Sequence, residues 1–432
     1  MGIYLDPGNT NFKIARCSDI YVDKSMLISK TNAVYMTERR FLCVSRARRF
    51  GKSMAANMLS AYYSCGCNSA ELFSGLEIEK EESFPEHLNR HHVIRLDVQR
   101  FLETERELVT FIGEMERRVI GELQAAFPEC NCYHEECRLK DVLDQIFVRT
   151  REGFIFIIDE WDCVFRVARQ QKEIQKKYLD FLRGLFKGAE YVELAYMTGI
   201  LPIKKYGEHS ALNMFDEFSM VDPADFATFY GFTEEEVMRL CREKQVDFRE
   251  MQKWYDGYLL NGTHIYNPKS VSDAVRRGKL KSYWTGTETY EALKTYIDRN
   301  FDGLREGVIE MLGNRPCKVD TSTSQNDMTT FKNRDDVITL LIHLGYLAYD
   351  ETEESAFIPN QEIEQEFLRA VKTGGWEGLT EALNRSEELR KRTGEKCNRT
   401  SHFIIDISWK SPYNECRKSV SGMDLSISVI IE

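Results

Sequence analysis

The segment from Phe41 to Ser53 limits the possible folds of this chain more than any other stretch. Its opening, Phe41 to Val44, is an apolar run of strand length, and from Ser53 to Ser64 apolar side chains recur every three or four residues, as they do along a helix. The polar turn between the two ends in Gly51-Lys52-Ser53. A strand, a Gly-Lys-Ser turn and a helix in this order predict a phosphate-binding loop.

The chemistry expected of this turn follows from its position. Backbone N–H groups at the start of the next helix point at an anion, Lys52 carries a positive charge for the β- and γ-phosphates, and the Ser53 hydroxyl can bind a magnesium ion. Arg46 stands where the usual pattern G-x-x-x-x-G-K-[ST] has its first glycine, so the turn must have a different shape. An ordinary basic turn before a helix remains the alternative. The predicted nucleotide-binding residues of this segment are Arg48, Arg49, Phe50, Gly51, Lys52 and Ser53.

A second apolar strand ends in two acidic residues. Phe154 to Ile158 is an uninterrupted apolar run, and Asp159 and Glu160 follow it directly. Two carboxylates at the end of a buried strand cost free energy unless they have a role. In a nucleotide-binding sheet, Asp159 would hold magnesium through water, and Glu160 would orient or activate the attacking water. The alternative is an acidic helix start at which Asp159 acts as the N-cap.

Further strands alternate with amphipathic helices along the first half of the chain. Val93 to Asp97, Val192 to Met197 and Phe215 to Met220 have strand patterns, and the stretches between them contain helical ones. This alternation predicts an α/β fold with a parallel, doubly wound sheet. Thr198 would lie beside Asp159 if their two strands are neighbours, and there it would contact the attacking water or the γ-phosphate. Alternatively, Thr198 only begins a Thr-Gly turn.

Four segments together resemble one family of P-loop proteins. They are Tyr21 to Ser25, Phe41 to Ser53, Phe154 to Asp162 and Met197 to Lys205. The family is that of the AAA-ATPase-like proteins, which usually carry a PD-(D/E)XK nuclease-like domain at the C-terminus, and the resemblance runs from residue 1 to about residue 385. The family itself has arginine at the position of Arg46. It usually has proline at the position of Ala47 and tyrosine at that of Trp161.

The resemblance implies a P-loop NTPase core that binds ATP with Mg²⁺. It also makes Tyr21, Asp23 and Lys24 candidates for contact with the nucleotide, because the segment before the first strand often packs over adenine in P-loop ATPases. The alternative is that this segment merely packs on the sheet. The prediction that the nucleotide is ATP and not GTP rests on the resemblance alone. The sequence has no Asn-Lys-x-Asp pattern of the kind that recognises guanine.

The chain divides into four predicted parts. They are a leader (1–20), the ATPase core (21–221), a lid (222–385) and a tail (386–432). From residue 222 the pattern changes to helix, and residues 335–358 predict a helix followed by a β-hairpin, as in a winged helix. The hairpin tip, 350–354, is strongly acidic and would repel nucleic-acid phosphates. From about Lys391 the resemblance stops, which predicts a truncated or frame-shifted tail without the nuclease-like domain.

Composition restricts the partners and the compartment. The net charge of −11 argues against a general affinity for nucleic acid or membranes, although local basic patches are compatible with it. There is no signal peptide at the N-terminus and no run of about 18 apolar residues, so we expect a cytoplasmic protein without a membrane span. The 12 cysteines are scattered, as in a protein with reduced thiols.

Two groups of cysteines need separate interpretation. Four potential zinc ligands, Cys130, Cys132, His134 and Cys137, lie in one short stretch, whereas structural zinc sites usually have two ligand pairs separated by a longer loop. We therefore favour a variable loop here, with zinc binding as the alternative. The sequence Cys65 to Cys67 follows the predicted phosphate-loop helix and is typical of a helix end, with no assigned role.

The function predicted from these observations is Mg²⁺-dependent ATP hydrolysis. Lys52 and Ser53 would bind phosphate and metal, Asp159 would complete the metal coordination, and Glu160 would be the general base, with Thr198 beside it. The first alternative is a nucleotide-dependent switch that hydrolyses ATP slowly or not at all and organises a partner or a homo-oligomer. The second is a nucleic-acid-processing ATPase that has lost its nuclease domain, against which the acidic net charge weighs.

Overall fold

Five parallel strands form the central sheet. They are β1 (Phe41–Ser45), β2 (His92–Asp97), β3 (Phe154–Asp159), β4 (Val192–Gly199) and β5 (Asp216–Phe218). Their order across the sheet is β2-β3-β4-β1-β5, and every neighbouring pair is parallel. The computed structural model describes residues 2–102, 107–130, 137–203, 212–284, 303–323, 331, 333–373, 404–406 and 428–430. The predicted α/β fold with a parallel sheet is confirmed.

Helices cover both faces of this sheet. They are α1 (Thr10–Arg16), α2 (Met26–Val34), α3 (Lys52–Tyr63), α4 (Ala70–Phe73), α5 (Phe84–His87), α6 (Glu107–Ala126), α7 (Leu139–Thr150), α8 (Cys163–Val167) and α9 (Lys172–Phe186), with 3-10 turns at Glu77–Lys80, Val98–Phe101 and Pro128–Cys130. Leu42 and Val44 face the layer that contains α2 and α3, whereas Phe41 and Cys43 face the layer of α6, α7 and α9. Successive strand residues point to opposite faces, and both faces are apolar because helices bury both.

The segment 1–20, expected to be a polar leader, packs onto the core. Leu5 forms an isolated β-bridge with Ile94 of β2. Phe12 on α1 is buried and stacks on Phe73, with a ring-centroid distance of 5.0 Å. The few apolar side chains of this polar stretch are therefore enough to anchor it, and it becomes part of the sheet edge and of the core.

The expectation of an all-helical pattern from residue 222 is wrong for residues 232–233 and 258–266. A small antiparallel sheet lies there, made of β6 (Phe232–Thr233), β7 (Tyr258–Leu260) and β8 (Thr263–Tyr266) in the order β6-β8-β7. Asn261 and Gly262, with φ angles of 48° and 71°, form the two-residue turn between β7 and β8. The strands are too short to give a recognisable alternation of apolar and polar residues. A 3-10 helix (Ala224–Phe229), α10 (Glu234–Lys244), α11 (Phe248–Tyr255) and α12 (Pro268–Arg277) complete this part.

The following part has the predicted winged-helix-like order of elements. It contains α13 (Leu304–Leu312), β9 (Cys317–Lys318), a 3-10 turn (Thr321–Thr323), α14 (Arg334–Leu344), β10 (Ala348–Asp350), β11 (Ser355–Phe357) and α15 (Gln361–Thr373). The hairpin β10–β11 follows α14 directly, and β9 adds a third strand to it. In the tail, β12 (Ile404–Asp406) pairs with β13 (Ser428–Ile430). The rest of 374–432 lies outside the described residues, so the aberrant tail remains a prediction.

The lid packs directly on the phosphate loop. Ala47 and Phe50 of the loop share one apolar cluster with Tyr258 and Trp284 of the lid. A Cβ atom on Gly345 would lie only 2.6 Å from the Cβ of Ala47, so the two segments touch where a larger side chain has no room. The predicted core and lid therefore have a continuous apolar interior. No helix within the described part of the chain has the length and apolar character that crossing a membrane requires.

Candidate active site

The loop between β1 and α3 ends in a glycine that caps the helix. Gly51 is the N-cap of α3 and has a φ angle of 91°, in the left-handed region that glycine adopts at little cost. Arg49 is also left-handed, with a φ angle of 70°. Since α3 has 12 residues, its first N–H groups and its dipole place partial positive charge at this end. The predicted strand, turn and helix are present in this order.

Arg46, which stands where the usual pattern has a glycine, makes buried hydrogen bonds. Its guanidinium donates to the carbonyl oxygens of Phe218 and Ser219, both at 2.8 Å, and to that of Phe226 at 3.1 Å. The side chain is fully buried, and burial lowers the pKa of Arg46 to about 10, so it remains charged at neutral pH. Arg46 thus ties the end of β1 to the end of β5 and to the start of the lid.

The Lys52 ammonium group lies inside the turn. Its Nζ donates to the carbonyl oxygens of Arg46 at 2.9 Å and Ala47 at 3.1 Å. Burial lowers the pKa of Lys52, and the nearby carboxylates of Glu160, Asp162 and Asp159 raise it. Both loop carbonyls hold the ammonium group where an anion bound at the start of α3 would meet it.

Three polar side chains stand side by side at the carboxyl ends of neighbouring strands. Asp97 is paired in register with Asp159, and Asp159 with Thr198. Burial raises the pKa of Asp159, and the adjacent Ser53 hydroxyl and Lys52 ammonium group lower it. Thr198 is fully buried, and its hydroxyl has no hydrogen-bond partner among the described residues. In parallel sheets, ligands bind at this edge.

Glu160 and Asp162 share one arginine. The Arg166 guanidinium forms an ion pair with Glu160, and its Nε donates to Asp162 at 3.1 Å. The second contact of Asp162 is the backbone N–H of Leu201, which donates to it at 3.0 Å. Burial raises the pKa of Glu160, and the positive charges of Lys52 and Arg166 oppose this shift.

Gly199 allows the residues after β3 to approach β4 closely. A Cβ atom at this position would lie 2.5 Å from Oδ1 of Asp162 and 2.7 Å from Cδ1 of Trp161. The backbone N–H of Trp161 also donates to the carbonyl of Thr198 at 3.1 Å. The Thr-Gly turn therefore holds the acidic segment against β4, and both interpretations of Thr198, as a turn residue and as a site residue, are compatible with its position.

A cavity of about 900 Å³ lies over the phosphate loop and extends to the lid. Its basic lining residues are Lys24, Arg48, Arg49, Lys52, Arg166, Arg169, Lys269 and Arg276. Glu160 is the one carboxylate among the described residues that line it. The apolar lining residues include Phe12, Ile20, Val22, Phe229 and Phe232. Excess positive charge together with apolar walls suits a ligand that joins phosphates to a flat ring.

The three candidates from the N-terminal segment have different surroundings. Tyr21 lines the cavity, and its ring lies 4.8 Å from the guanidinium carbon of Arg16. Lys24 also lines it, but its Nζ is paired with Glu236 at 2.7 Å, and burial lowers the pKa of Lys24. The Asp23 carboxylate accepts hydrogen bonds from the backbone N–H groups of residues 25 and 77. Asp23 therefore holds the segment in place rather than lining the cavity.

The middle of the phosphate loop is attached to the lid. Nη1 of Arg49 donates to the carbonyl of Tyr283 at 2.8 Å. The carbonyl of Phe50 accepts from the backbone N–H of Gly231 at 3.0 Å, and the Phe50 ring packs against that of Tyr258, with a centroid distance of 5.2 Å. Arg48, Arg49 and Phe50 all line the cavity, and the Phe50 side chain is also almost fully buried against the lid.

Three residues of this site have no role in the sequence-based prediction. Asp97 is, like Asp159, an acidic residue at the end of a strand, and this pattern could have indicated it from the sequence. Arg166 lies four residues after Asp162, a spacing that brings two side chains together on a helix. Arg276 of α12 lines the cavity and pairs with Asp19 at 2.7 Å. It gives no local signal, because its partner is 257 residues away in sequence.

Comparison with known families agrees with this arrangement. Residues 8–207 match the family model AAA-ATPase-like, described as predicted AAA-ATPase. This stretch is an AAA-ATPase-like segment. The resemblance predicted from the sequence is confirmed for it. The segment contains the phosphate loop, the two acidic residues after β3 and Thr198.

Two further comparisons gave one curated relative and one solved structure. One is described as an uncharacterized protein in the vnfD 5′ region of Azotobacter chroococcum mcd 1, with 26% identity over 256 residues, or 57% of this chain and 48% of the relative. The chain thus spans about half the length of that relative. The second is the solved structure of the Aeropyrum pernix ORC2 protein in ADPNP–ADP complexes, with a TM-score of 0.37 and 11% identity over 82% of this chain and 97% of that one.

Proposed function

We propose that the AAA-ATPase-like segment and the lid bind ATP with Mg²⁺ and hydrolyse it. One observation carries the proposal: Lys52 and Ser53 line a large cavity with basic walls, and the buried Asp159 adjoins both of them at the carboxyl edge of a parallel sheet. The family match over residues 8–207 supports a nucleotide as the ligand. The cavity volume of about 900 Å³ is in the range of small-molecule sites.

The phosphates would lie at the N-terminus of α3. There the first backbone N–H groups and the Lys52 ammonium group would meet the negative charge. The Ser53 hydroxyl and the Asp159 carboxylate are adjacent oxygen ligands of the type that Mg²⁺ prefers, and they would hold the ion beside the phosphates. When bound, the ion would neutralise charge on the phosphate oxygens. Asp97 would lie one strand further along the same edge.

Hydrolysis would depend on Glu160. Its raised pKa favours proton uptake, which is the property required of a general base. In the present geometry Arg166 pairs with this carboxylate, so the pair has to open before Glu160 can accept a proton from water. Arg166 itself lines the cavity and would then be available to the phosphates. The Thr198 hydroxyl would hold the water or a phosphate oxygen.

The test measures ATP affinity and phosphate release with and without Mg²⁺. We expect Lys52→Ala to weaken ATP binding by about 10- to 100-fold, since it removes a charge-assisted hydrogen bond. Glu160→Gln should keep the affinity and slow phosphate release by about 100-fold or more. Lys80→Ala and Glu173→Gln, which change exposed residues outside the cavity, are the matched controls. Equal effects in the controls, or unchanged binding in Lys52→Ala, would contradict the assignment.

The Glu160–Arg166 ion pair also supports the alternative of a nucleotide-dependent switch. If ATP binding does not open this pair, the base stays occupied and turnover is slow. Tight Mg²⁺-dependent ATP binding with negligible phosphate release in the unmodified protein would favour the switch. Size measurement by light scattering with and without ATP would then show whether the bound nucleotide organises a homo-oligomer.

A further inference from the structure

We propose that Asp6, Cys65 and His92 form a Zn²⁺ site at the edge of the sheet opposite the nucleotide cavity. Their potential ligand atoms all lie within 4.8 Å of one another, and within the described part of the chain no other group of three such side chains meets this distance. His92 begins β2, whereas Asp97, at the other end of that strand, stands beside Asp159. The site is therefore separate from the proposed ATPase.

The distances are close to those of a tetrahedral zinc centre. Sγ of Cys65 lies 3.5 Å from Nδ1 of His92, and Oδ2 of Asp6 lies 2.7 Å from the same nitrogen. With ordinary zinc–ligand bond lengths, sulfur and nitrogen ligands are separated by ~3.6 Å and oxygen and nitrogen ligands by ~3.3 Å. The Cys65–His92 distance already fits this scale, and the Asp6–His92 pair would have to open by about 0.6 Å.

Backbone contacts bring the three residues together. After α3, the N–H of Cys65 donates to the carbonyl of His91 at 2.9 Å, which places Cys65 beside the start of β2. A Cβ atom on Gly66 would lie 2.3 Å from the carbonyl oxygen of Asp6, so only glycine allows this approach of the leader. The sequence Cys65-Gly66-Cys67, which has no role in the ATPase, thereby gains one through its first two residues.

Each of two ligands is oriented by a group outside the triad. Oε2 of Glu152 lies 3.2 Å from Nε2 of His92, and the N–H of Val93 donates to Oδ1 of Asp6 at 2.7 Å. A carboxylate on the far nitrogen of a metal-binding histidine is the usual arrangement in zinc proteins. It fixes the ring so that Nδ1 points at the metal position.

The ligand types select the metal. One thiolate, one imidazole and one carboxylate suit Zn²⁺ better than Mg²⁺ or Ca²⁺, which prefer oxygen ligands. Three protein ligands leave a fourth position for water or an external ligand. The competing explanation is a metal-free ion pair. The hydrogen bond that His92 donates to Asp6 raises the pKa of His92 to about 10, and the imidazolium can pair with Asp6 and Glu152.

The experiment titrates the full-length, reduced, metal-free protein with Co²⁺ and then Zn²⁺. A thiolate ligand gives an ultraviolet charge-transfer band with Co²⁺. Added Zn²⁺ should displace the bound Co²⁺, so that the band disappears. We expect one equivalent of metal and loss of the band in Cys65→Ser and in His92→Ala. Glu152→Gln should weaken binding by about 10- to 100-fold while keeping the band. Cys17→Ser, an exposed cysteine outside the triad, is the matched control.

The cysteines of 130–137 require their own control, since residues 131–136 lie outside the described part and zinc binding there is the alternative stated above. The titration is repeated with Cys130, Cys132 and Cys137 all changed to serine, and the band should persist. A band that survives Cys65→Ser but disappears in that triple variant would overturn the proposal. The absence of any thiolate band would overturn it as well. Zn²⁺ should also raise the unfolding midpoint of the parent protein and not that of Cys65→Ser.

Discussion

Arg166 joins the carboxylates of Glu160 and Asp162 in one ion-pair network at the end of β3. All three side chains are largely or fully removed from solvent, with exposed fractions of 12%, 20% and 0% for Arg166, Glu160 and Asp162. Removing the arginine would leave Asp162 without its ion-pair partner and Glu160 with Lys52 as the remaining nearby positive charge.

We therefore expect Arg166→Ala to lower the free energy of unfolding by about 3 kcal/mol. The loss should be larger at pH 8 than at pH 5, because protonation of Glu160, whose pKa is already raised, relieves the uncompensated charge. Urea unfolding at both pH values measures this. Arg183→Ala, on an exposed face of α9, should change the free energy of unfolding by less than about 0.5 kcal/mol. Equal losses at both pH values would point to packing instead of charge.

Arg46 should be one of the most sensitive positions of the phosphate loop. Arg46→Met keeps much of the apolar volume but leaves several buried carbonyl oxygens without donors, so we expect a loss of at least about 3 kcal/mol. Arg39→Met is the comparison. The Arg39 side chain, which is paired with Asp216, is 70% exposed, so the loss of this ion pair should lower the free energy of unfolding by less than about 1 kcal/mol. Thermal or urea unfolding of both variants provides the test, and similar losses would refute the structural role of Arg46.

Two glycine-to-alanine substitutions should change the free energy of unfolding in opposite directions. Gly199→Ala brings a Cβ atom to 2.5 Å from Oδ1 of Asp162 and should lower the free energy of unfolding by about 1–3 kcal/mol. Gly184→Ala lies within α9, where the new Cβ atom would meet Cδ of Lys140 at an ordinary contact distance of 3.9 Å, and it should raise the free energy of unfolding by about 1 kcal/mol. Urea unfolding curves of the two variants, recorded side by side, decide whether both signs are as expected.

Thr198→Val separates a site role from a turn role. The Thr198 hydroxyl is buried without a partner among the described residues, so its removal should leave the free energy of unfolding unchanged or slightly higher. Phosphate release should fall by about 10-fold if the hydroxyl contacts the water or a phosphate. In Thr31→Val the hydroxyl bonded to Ile28 and Tyr63 is lost, and we expect destabilisation of about 1 kcal/mol. Unchanged phosphate release in Thr198→Val would leave Thr198 as a turn residue.

Glu362 should make stability depend on pH. It accepts hydrogen bonds from the backbone N–H groups of Tyr283 and Trp284, yet burial raises its pKa to about 7, and Glu366 adds to the shift. Because the folded pKa exceeds the usual 4.5, this contribution to stability is complete below pH 4.5 and is lost as the pH rises through 7. The loss should approach about 3 kcal/mol and should disappear in Glu362→Gln. Glu351→Gln, at the exposed hairpin tip, should keep the pH dependence, and unfolding curves from pH 5 to 8 test both.

Local patterns were sufficient to predict the central sheet and to bring the proposed site residues together. Long apolar runs indicated β1 and β3, the Gly-Lys-Ser turn after β1 indicated Lys52 and Ser53, and the acidic end of the second run indicated Asp159 and Glu160. A parallel sheet places the carboxyl ends of its strands on one edge, so the meeting of these residues followed from the fold class.

The contacts that sequence analysis missed join residues that are far apart in the chain. Asp23 was a candidate for nucleotide contact because of the family resemblance, and the backbone N–H at position 77 that donates to its carboxylate leaves no signal in the sequence. The role of Arg46 depends on carbonyl groups, which every residue has and which therefore leave no signature. The strands β6 to β8 have two to four residues, and the Asn261-Gly262 turn was their only clear signal.

The attachment of the phosphate loop to the lid has a consequence for how the protein folds. The partners of Arg46 are 172, 173 and 180 residues further along the chain, and that of Arg49 is 234 residues further. During synthesis the loop is made early, but the hydrogen bond of Arg49 to Tyr283 and the contact of Ala47 with Gly345 form only after those distant residues have left the ribosome. The long intervening segment makes these contacts slow to form. The proposed nucleotide site would therefore form late, and a nascent chain that ends before the lid lacks the lid contacts of this loop.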